Sequence, residues 1–241
     1  MCRKGNEGKR LRRQKVVFTD DVGEKPPENR EELKARIKRD YPLFFLEMND
    51  AQDRFIRVKN SKGLTPKRRI FESANKVGKS LIGIAEDLAH MMGFRPWLNK
   101  DDPDYLIDVP VPNIGMIGCE TYKHSVAEKI EPMLREYAPS TCQPIFKPGP
   151  TGVLNVLTLP FSAEGKKCGS KLFIRSYDEE PGAFEGIDFH WIHWDEPPPQ
   201  KILVAAERGK VVTNAPSWFT MTPLKEPHIF ENYSQRAAIH A

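Results

Sequence analysis

The stretch "SANKVGKS", Ser73 to Ser80, decides the fold. It ends as a phosphate-binding loop ends, in Gly78-Lys79-Ser80, but it opens on serine where that loop usually opens on glycine. Such a loop curls backbone N–H groups around a β-phosphate at a helix N-terminus, with a lysine reaching the terminal phosphates and a hydroxyl ligating Mg2+. Gly78 lets the backbone approach closely, Lys79 offers a compact cation, and Ser80 offers the metal ligand. Ser73 suits the opening position only if its backbone angles are not the positive ones that glycine favours. A lone Gly-Lys-Ser is a weak signal, and its flanks strengthen it. "RIFESA" before it has strand character; in "GKSLIGIAEDLAHMMG" after it, Leu81, Ala85, Leu88 and Met92 line one helical face, and Gly93 suits the stop.

Outward from this unit, strands continue to alternate with helices. "VPNIGMIGC" is expected as a buried strand, followed by the helix "HSVAEKIEPMLREYAP", with a Ser125/Glu128 capping box, a face of Val126, Ile130, Met133 and Tyr137, and a kink at Pro132. "GVLNVLTLP" and "SKLFIRSY" look like a hairpin joined by "FSAEGKKCG". Then come "FHWIHW", a short helix in "KILVAAERG", the strand "SWFTMT" and a C-terminal helical stretch "HIFENYSQRAAIH". Upstream, "PENREELKARIKRDYPLFFLEM" predicts a helix of about ten residues with Leu33 and Ile37 four apart, broken at Pro42. The alternation favours an α/β fold with a mainly parallel central sheet flanked by helices.

Composition sets the limits. A chain of 241 residues with 39% apolar residues buries a real core. Its four cysteines form no C-x-x-C pair and no metal-ligand spacing, which points to reduced thiols and no structural zinc. No apolar run approaches the ~20 residues of a membrane span, so a cytoplasmic protein is expected. The net charge of +4 is concentrated in "MCRKGNEGKRLRRQK", which carries +6 and leaves the remainder near −2. Residues 1–30 therefore read as a basic flexible arm and linker, a solvated tail or a phosphate-binding arm, and residues 31–241 as the folded domain.

A phosphate loop that hydrolyses nucleotide also needs a carboxylate at the end of a neighbouring strand for the Mg2+ shell and a second to orient the attacking water. "WIHWDE" supplies both, 116 residues beyond Lys79: Asp195 for the metal and Glu196 as general base. His190 and His193 are read as packing or hydrogen-bonding residues near a sheet edge.

With these motifs in place, the sequence resembles the large terminase subunits of tailed bacteriophages, whose N-terminal ATPase drives viral DNA into a procapsid. The resemblance runs from about Gln52 to Pro223: "SANKVGKSLIGIAEDLAHMMGFRPW" is similar to their Walker A segment, "IRSYDEEPGAFEGIDFHWIHWDEPPP" to the run into Walker B, and "WFTMTPL" to the coupling motif. It implies a P-loop NTPase of the additional-strand, catalytic-glutamate type, with ATP and Mg2+ as ligands. The nucleotide would lie on Ser73, Ala74, Asn75, Lys76, Val77, Gly78, Lys79 and Ser80, with Ser80 and Asp195 at the metal and Glu196 and Lys79 in catalysis. By the same resemblance Gln52 reads adenine and Thr222 senses the γ-phosphate. The implied partners are double-stranded viral DNA, a portal protein, a small terminase subunit and further copies in a ring, in the host cytoplasm.

Two positions depart from the pattern. Lys76 stands where many relatives have arginine, which keeps the charge and loses the bidentate fork. Glu185-Gly186 stands where many have Arg-Gly, so an arginine offered to a neighbouring subunit is not expected there; Arg175 and Arg208 are the other candidates. About 18 residues follow Thr-Pro, too few for the family's nuclease, so no nuclease activity is expected. Two rival readings are a helicase-type remodelling ATPase and a DNA-binding assembly module with a vestigial nucleotide site.

Overall fold

β1 (Arg68–Glu72), the loop to Gly78 and α3 (Lys79–Met92) form the strand, loop and helix expected around the opening stretch. They belong to a computed structural model that describes residues 29–74, 76–210 and 212–222, together with Ile229 and the backbone of 238–240. The basic arm, Asn75, Pro223 and nearly all of the expected C-terminal helix lie outside the described residues.

Before β1 come α1 (Arg30–Asp40), capped by the Asn29 side chain, and α2 (Asp50–Arg57), capped by Asn49. After α3 the chain passes through β2 (Ile114–Cys119), a π-helical segment (Tyr122–Ile130) that runs into α4 (Glu131–Tyr137), β3 (Ile145–Pro148), β4 (Leu154–Phe161) and β5 (Lys167–Ser176). β6 (Trp191–Asp195), α5 (Gln200–Gly209), β7 (Ser217–Met221) and a short β8 (Ala238–His240) complete it.

The strands form one sheet in the order β3-β4-β5-β2-β6-β7-β1-β8. Pairing is parallel from β5 to β8, and antiparallel only in β3-β4 and β4-β5. β6 and β7 are buried along their whole length, as strands covered on both faces must be. Successive side chains point to opposite faces. Trp191 and Trp218 join a core with Phe55, Ile82 and Leu88 on the α3 side, while Trp194 and Phe219 join Phe184 and Ile202 on the α5 side.

Four expectations are corrected. α3 is not amphipathic: apart from Ser80 and Leu81 it is buried all round, including Glu86 and Asp87. Both charges are tolerated because they are paired, Glu86 with Arg69 (2.7 Å) and Arg95, and Asp87 with His193 and the Trp191 indole. The helix after β2 starts at a Thr121 cap, ahead of Ser125, and Ser125 Oγ instead accepts from the Thr121 N–H; the change from π to α hydrogen bonding falls just before Pro132, the residue that lacks a donor. The end of the expected C-terminal helix is instead a strand, since residues 238–240 pair with Ile70–Glu72 of β1 as β8 and take ladder bonds at the sheet edge. His193 sits in β6, in the interior of the sheet and not near its edge. The edge strand β3 had no sequence expectation, since "IFKP" is short and ends in proline.

Candidate active site

Parallel strands all deliver their C-terminal ends to one rim, and the strand order chooses which residues meet there. β7 lies between β1 and β6, with Thr220 in register with both Phe71 and Asp195. The loop after β1, the Asp195-Glu196 pair after β6 and Thr222 after β7 therefore converge over the N-terminus of α3.

Within the loop, Gly78 has φ 83° and Lys76 φ 69°, while Ser73 is not among the residues with positive φ, so serine carries no backbone penalty at the opening position. The positive φ favours glycine at 78, and a Cβ there would come within 2.5 Å of Gln52 Nε2, so a side chain would have to displace the Gln52 amide. Gln52 is 4% exposed and donates from Nε2 to the Gly78 carbonyl at 2.9 Å, while its Oε1 accepts from the Asn49 N–H at 3.0 Å. Asn49 Nδ2 donates to the Val77 carbonyl at 3.2 Å. The start of α2 thus braces the loop from behind. Gln52 keeps one N–H and one lone pair beyond these bonds. The bracing role of Asn49 was not read from sequence, although an Asn-x-x-Gln capping box was there to be seen.

Lys79, 6% exposed, folds back into the loop: Nζ donates to the carbonyls of Ser73 (2.7 Å) and Ala74 (2.8 Å) and reaches Thr222 Oγ1 at 3.4 Å. Burial lowers the pKa of its ammonium from the ordinary value; Glu196 and Asp195 oppose that shift and Lys129 adds to it. Ala74 and Lys76 are exposed and Val77 half-buried along the same loop.

Ser80 Oγ donates to Asp195 Oδ1 at 3.0 Å, and Asp195 is 2% exposed. Behind Asp195 runs a buried chain: Thr220 Oγ1 donates to Asp195 Oδ1 (3.3 Å) and lies 2.8 Å from His193 Nε2, and His193 Nδ1 is 2.6 Å from Asp87 Oδ2. Gly83 makes room for it, since a Cβ there would fall 2.5 Å from the His193 ring. In front, Lys129 donates to Asp195 Oδ2 at 2.9 Å and Oδ1 at 3.2 Å. Neither Lys129 nor His193 was singled out as a site residue by sequence. Lys129 looks like one more solvated charge on a helix, and only the turn of that helix brings it to Asp195.

Glu196 takes a positive φ of 74°, uncommon for a residue with a side chain. It is held there by its N–H on the Thr220 carbonyl (3.1 Å), by its own carbonyl accepting from Tyr177 Oη (2.7 Å), and by its carboxylate on Thr222. Arg175 pairs with Glu179 (3.1 Å) and Arg208 with Glu185 (2.8 Å), the latter pair on the surface.

A hydroxyl and a carboxylate sharing a hydrogen bond are hard oxygen donors of the kind Mg2+ takes. Among the described residues no group of three His, Cys, Asp or Glu side chains could hold a metal; Mg2+ is commonly held by one or two protein oxygens together with phosphate and water. The residues fit that arrangement. No helix among the described residues is long and apolar enough to cross a membrane.

No protein-family model and no curated protein matches the sequence. Solved structures do match its fold. The large terminase ATPase domain of Thermus phage P74-26 superposes with a TM-score of 0.50 at 18% identity, and an arginine-to-alanine mutant of it with 0.52 at 16%; each covers 76% of this chain and 68% of the other. The large terminase of a second, thermophilic bacteriophage, solved in complex with ADP, superposes with a TM-score of 0.51 at 16% identity over 81% of this chain, which spans 45% of that one. At such identities the likeness is one of fold, and this chain has the fold of the ATPase domains of phage large terminases.

Proposed function

We propose that the protein is the Mg2+-dependent ATP-hydrolysing motor domain of a viral large terminase, coupling hydrolysis to movement of double-stranded DNA into a procapsid. The observation that carries this reading is the 3.0 Å contact between Ser80 Oγ and Asp195 Oδ1, made across the intervening strand β7 at the rim where the loop and Glu196 also converge. Two residues 115 apart in sequence thereby bring a hydroxyl and a carboxylate together outside the carboxyl ends of the strands, where open α/β sheets bind their ligands.

The loop amides of residues 73–80 and the start of α3 would receive the phosphates, with Lys79 exchanging the Ser73 and Ala74 carbonyls for phosphate oxygens. Mg2+, when bound, draws charge off the phosphate oxygens. Ser80 and Asp195 would hold it, with the chain from Asp87 through His193 and Thr220 fixing the carboxylate's orientation. Glu196 would orient a water and take its proton, and Thr222, bonded to both Glu196 and Lys79, would register the nucleotide's state. Gln52 would meet adenine with the N–H and lone pair that it retains.

In this reading residues 31–241 are one ATPase domain behind a basic arm at 1–30, working as a ring in the host cytoplasm with a portal protein and a small terminase subunit. Steady-state ATP hydrolysis, measured with and without linear duplex DNA, tests it. Turnover stimulated by duplex DNA supports the motor; turnover indifferent to DNA counts against translocation.

A further inference from the structure

Among the described residues, the cation that touches Asp195 comes from an element outside the three nucleotide motifs. β2 lies beside β6 in register, Cys119 opposite Asp195, and the π-helical segment that rises two residues after β2 leans over the end of β6. Lys129, on the last turn of that segment, sets its ammonium against both carboxylate oxygens, at 2.9 and 3.2 Å. The register of the helix matters: with α-helical winding over the same residues, Lys129 would face a different direction. π-segments recur at functional sites, and this one has its own cap, the Thr121 side chain accepting from the His124 N–H at 3.1 Å.

Asp195 is almost fully buried, whereas the Lys129 side chain is 35% exposed. A buried carboxylate without a counter-charge is costly, so the ammonium offsets that cost and keeps the Asp195 carboxylate aligned toward Ser80. Yet Ser80 and Asp195 are the residues that would hold the metal, and a divalent cation and an ammonium cannot share the same two oxygens without mutual repulsion. A lysine on a flexible four-carbon stem, already partly in solvent, withdraws at little cost. A permanent structural salt bridge would be better served by the rigid fork of arginine.

We propose that Lys129 is a positioning residue that acts as a resident cation for Asp195, orienting and neutralising the carboxylate when no metal is bound and yielding it to Mg2+ when nucleotide arrives. This rests on the nucleotide-site reading given above. Because the ammonium and the metal compete for one carboxylate, Lys129 sets how much Mg2+ improves nucleotide binding, a coupling that is reciprocal and measurable without turnover.

The test is the affinity for a fluorescent ADP analogue in Mg2+ and in EDTA, for the wild type, Lys129→Met and Lys129→Arg, each checked for folding by circular dichroism. Without the ammonium, Asp195 repels the phosphates in EDTA and takes the metal unopposed. The ratio of the two dissociation constants in Lys129→Met therefore grows by about tenfold over wild type. In Lys129→Arg, whose fork grips the carboxylate harder, the ratio falls below wild type. The same ratio in all three proteins, even with a lowered melting temperature in Lys129→Met, overturns the proposal and leaves a static salt bridge. A wild type that binds the analogue in neither condition is a different result: it brings down the nucleotide reading, and this inference with it.

Discussion

The carboxylate of Glu196 is tied at both oxygens to Thr222, whose N–H donates to Oε2 at 2.9 Å and whose hydroxyl donates to Oε1 at 3.2 Å. The residue proposed to activate water is thus held by the first residue after β7, and the same hydroxyl lies 3.4 Å from Lys79 Nζ. A group that moves one of the three disturbs the other two. Thr222→Val removes the hydroxyl bonds and keeps the N–H. It is expected to leave nucleotide affinity within about threefold and to lower kcat by about tenfold, because a general base loses efficiency when its geometry loosens. Steady-state kinetics separate the two parameters, and an unchanged kcat would remove Thr222 from the mechanism.

Lys79 spends its three N–H donors on two loop carbonyls and one hydroxyl, all of which it must leave to meet a phosphate. Lys79→Ala deletes the cation and leaves those carbonyls uncapped. Nucleotide binding is expected to weaken by a hundredfold or more, on the order of 3 kcal/mol for a lost charge-assisted contact. Equilibrium binding of an ADP analogue measures it; affinity within a factor of a few of wild type would place the phosphates elsewhere.

Gly83 stands in the interior of α3, where alanine ordinarily stabilises a helix by about 1 kcal/mol. Here a Cβ would fall 2.5 Å from His193 Cε1 and Nε2 and 3.0 Å from Thr220 Cγ2, inside the buried chain behind Asp195. Gly83→Ala is therefore expected to destabilise, by about 1–3 kcal/mol, and to weaken Mg2+-dependent nucleotide binding as the chain is displaced. Urea denaturation reads the sign; a stabilised variant would mean that α3 and β6 separate more readily than their packing implies.

His90 gives a pH dependence with a definite sign. Its ring packs against Trp191 and Trp218, and its Nδ1–H donates to the Glu86 carbonyl at 2.8 Å. Burial, opposed by Glu86 and reinforced by Arg95 and Arg69, lowers its pKa from 6.5 to about 3. In the unfolded chain the imidazole protonates near 6.5 and in the fold it stays neutral, so stability present above that pH is lost as pH falls toward about 3. Burial raises the Glu86 carboxyl, but Arg95 and Arg69 outweigh it and hold the group below the usual carboxylate range, so its contribution is lost only at more acid pH. Between pH 6.5 and 4.5 the loss assigned to His90 approaches ~1.4 kcal/mol per unit. Urea midpoints at pH 7 and pH 5 should fall less in His90→Gln than in wild type; equal slopes would show that His90 is not the group responsible.

How far the sequence carries the fold can be read from particular residues. Gly78-Lys79-Ser80, Asp195-Glu196 and Thr222 were legible because each stands at a strand or helix end marked by its own local pattern. The hairpin of β4 and β5 was legible from its glycine-rich turn. The rest depends on contacts distant in the chain. Periodicity assigned α3 one apolar face, because a helix carrying Glu86 and Asp87 looks half exposed until Arg69, Arg95 and His193 are brought to those charges by the sheet. The loop brace from Asn49 and Gln52 spans 28 and 26 residues, and the Lys129–Asp195 pair spans 66. Nothing local distinguishes Lys129 from the solvated lysines around it.

The central claim is that Glu196 activates water at a nucleotide site built by Ser80 and Asp195, and its most direct measurement is ATP turnover by Glu196→Gln alongside its ATP binding. The amide keeps the shape and still accepts the Thr222 N–H at its oxygen, while its NH2 donates to the Thr222 hydroxyl in a reversed bond; it takes no proton, so binding is expected to persist while turnover falls by about a hundredfold or more. Wild-type turnover from Glu196→Gln, with ATP bound as before, would contradict the account.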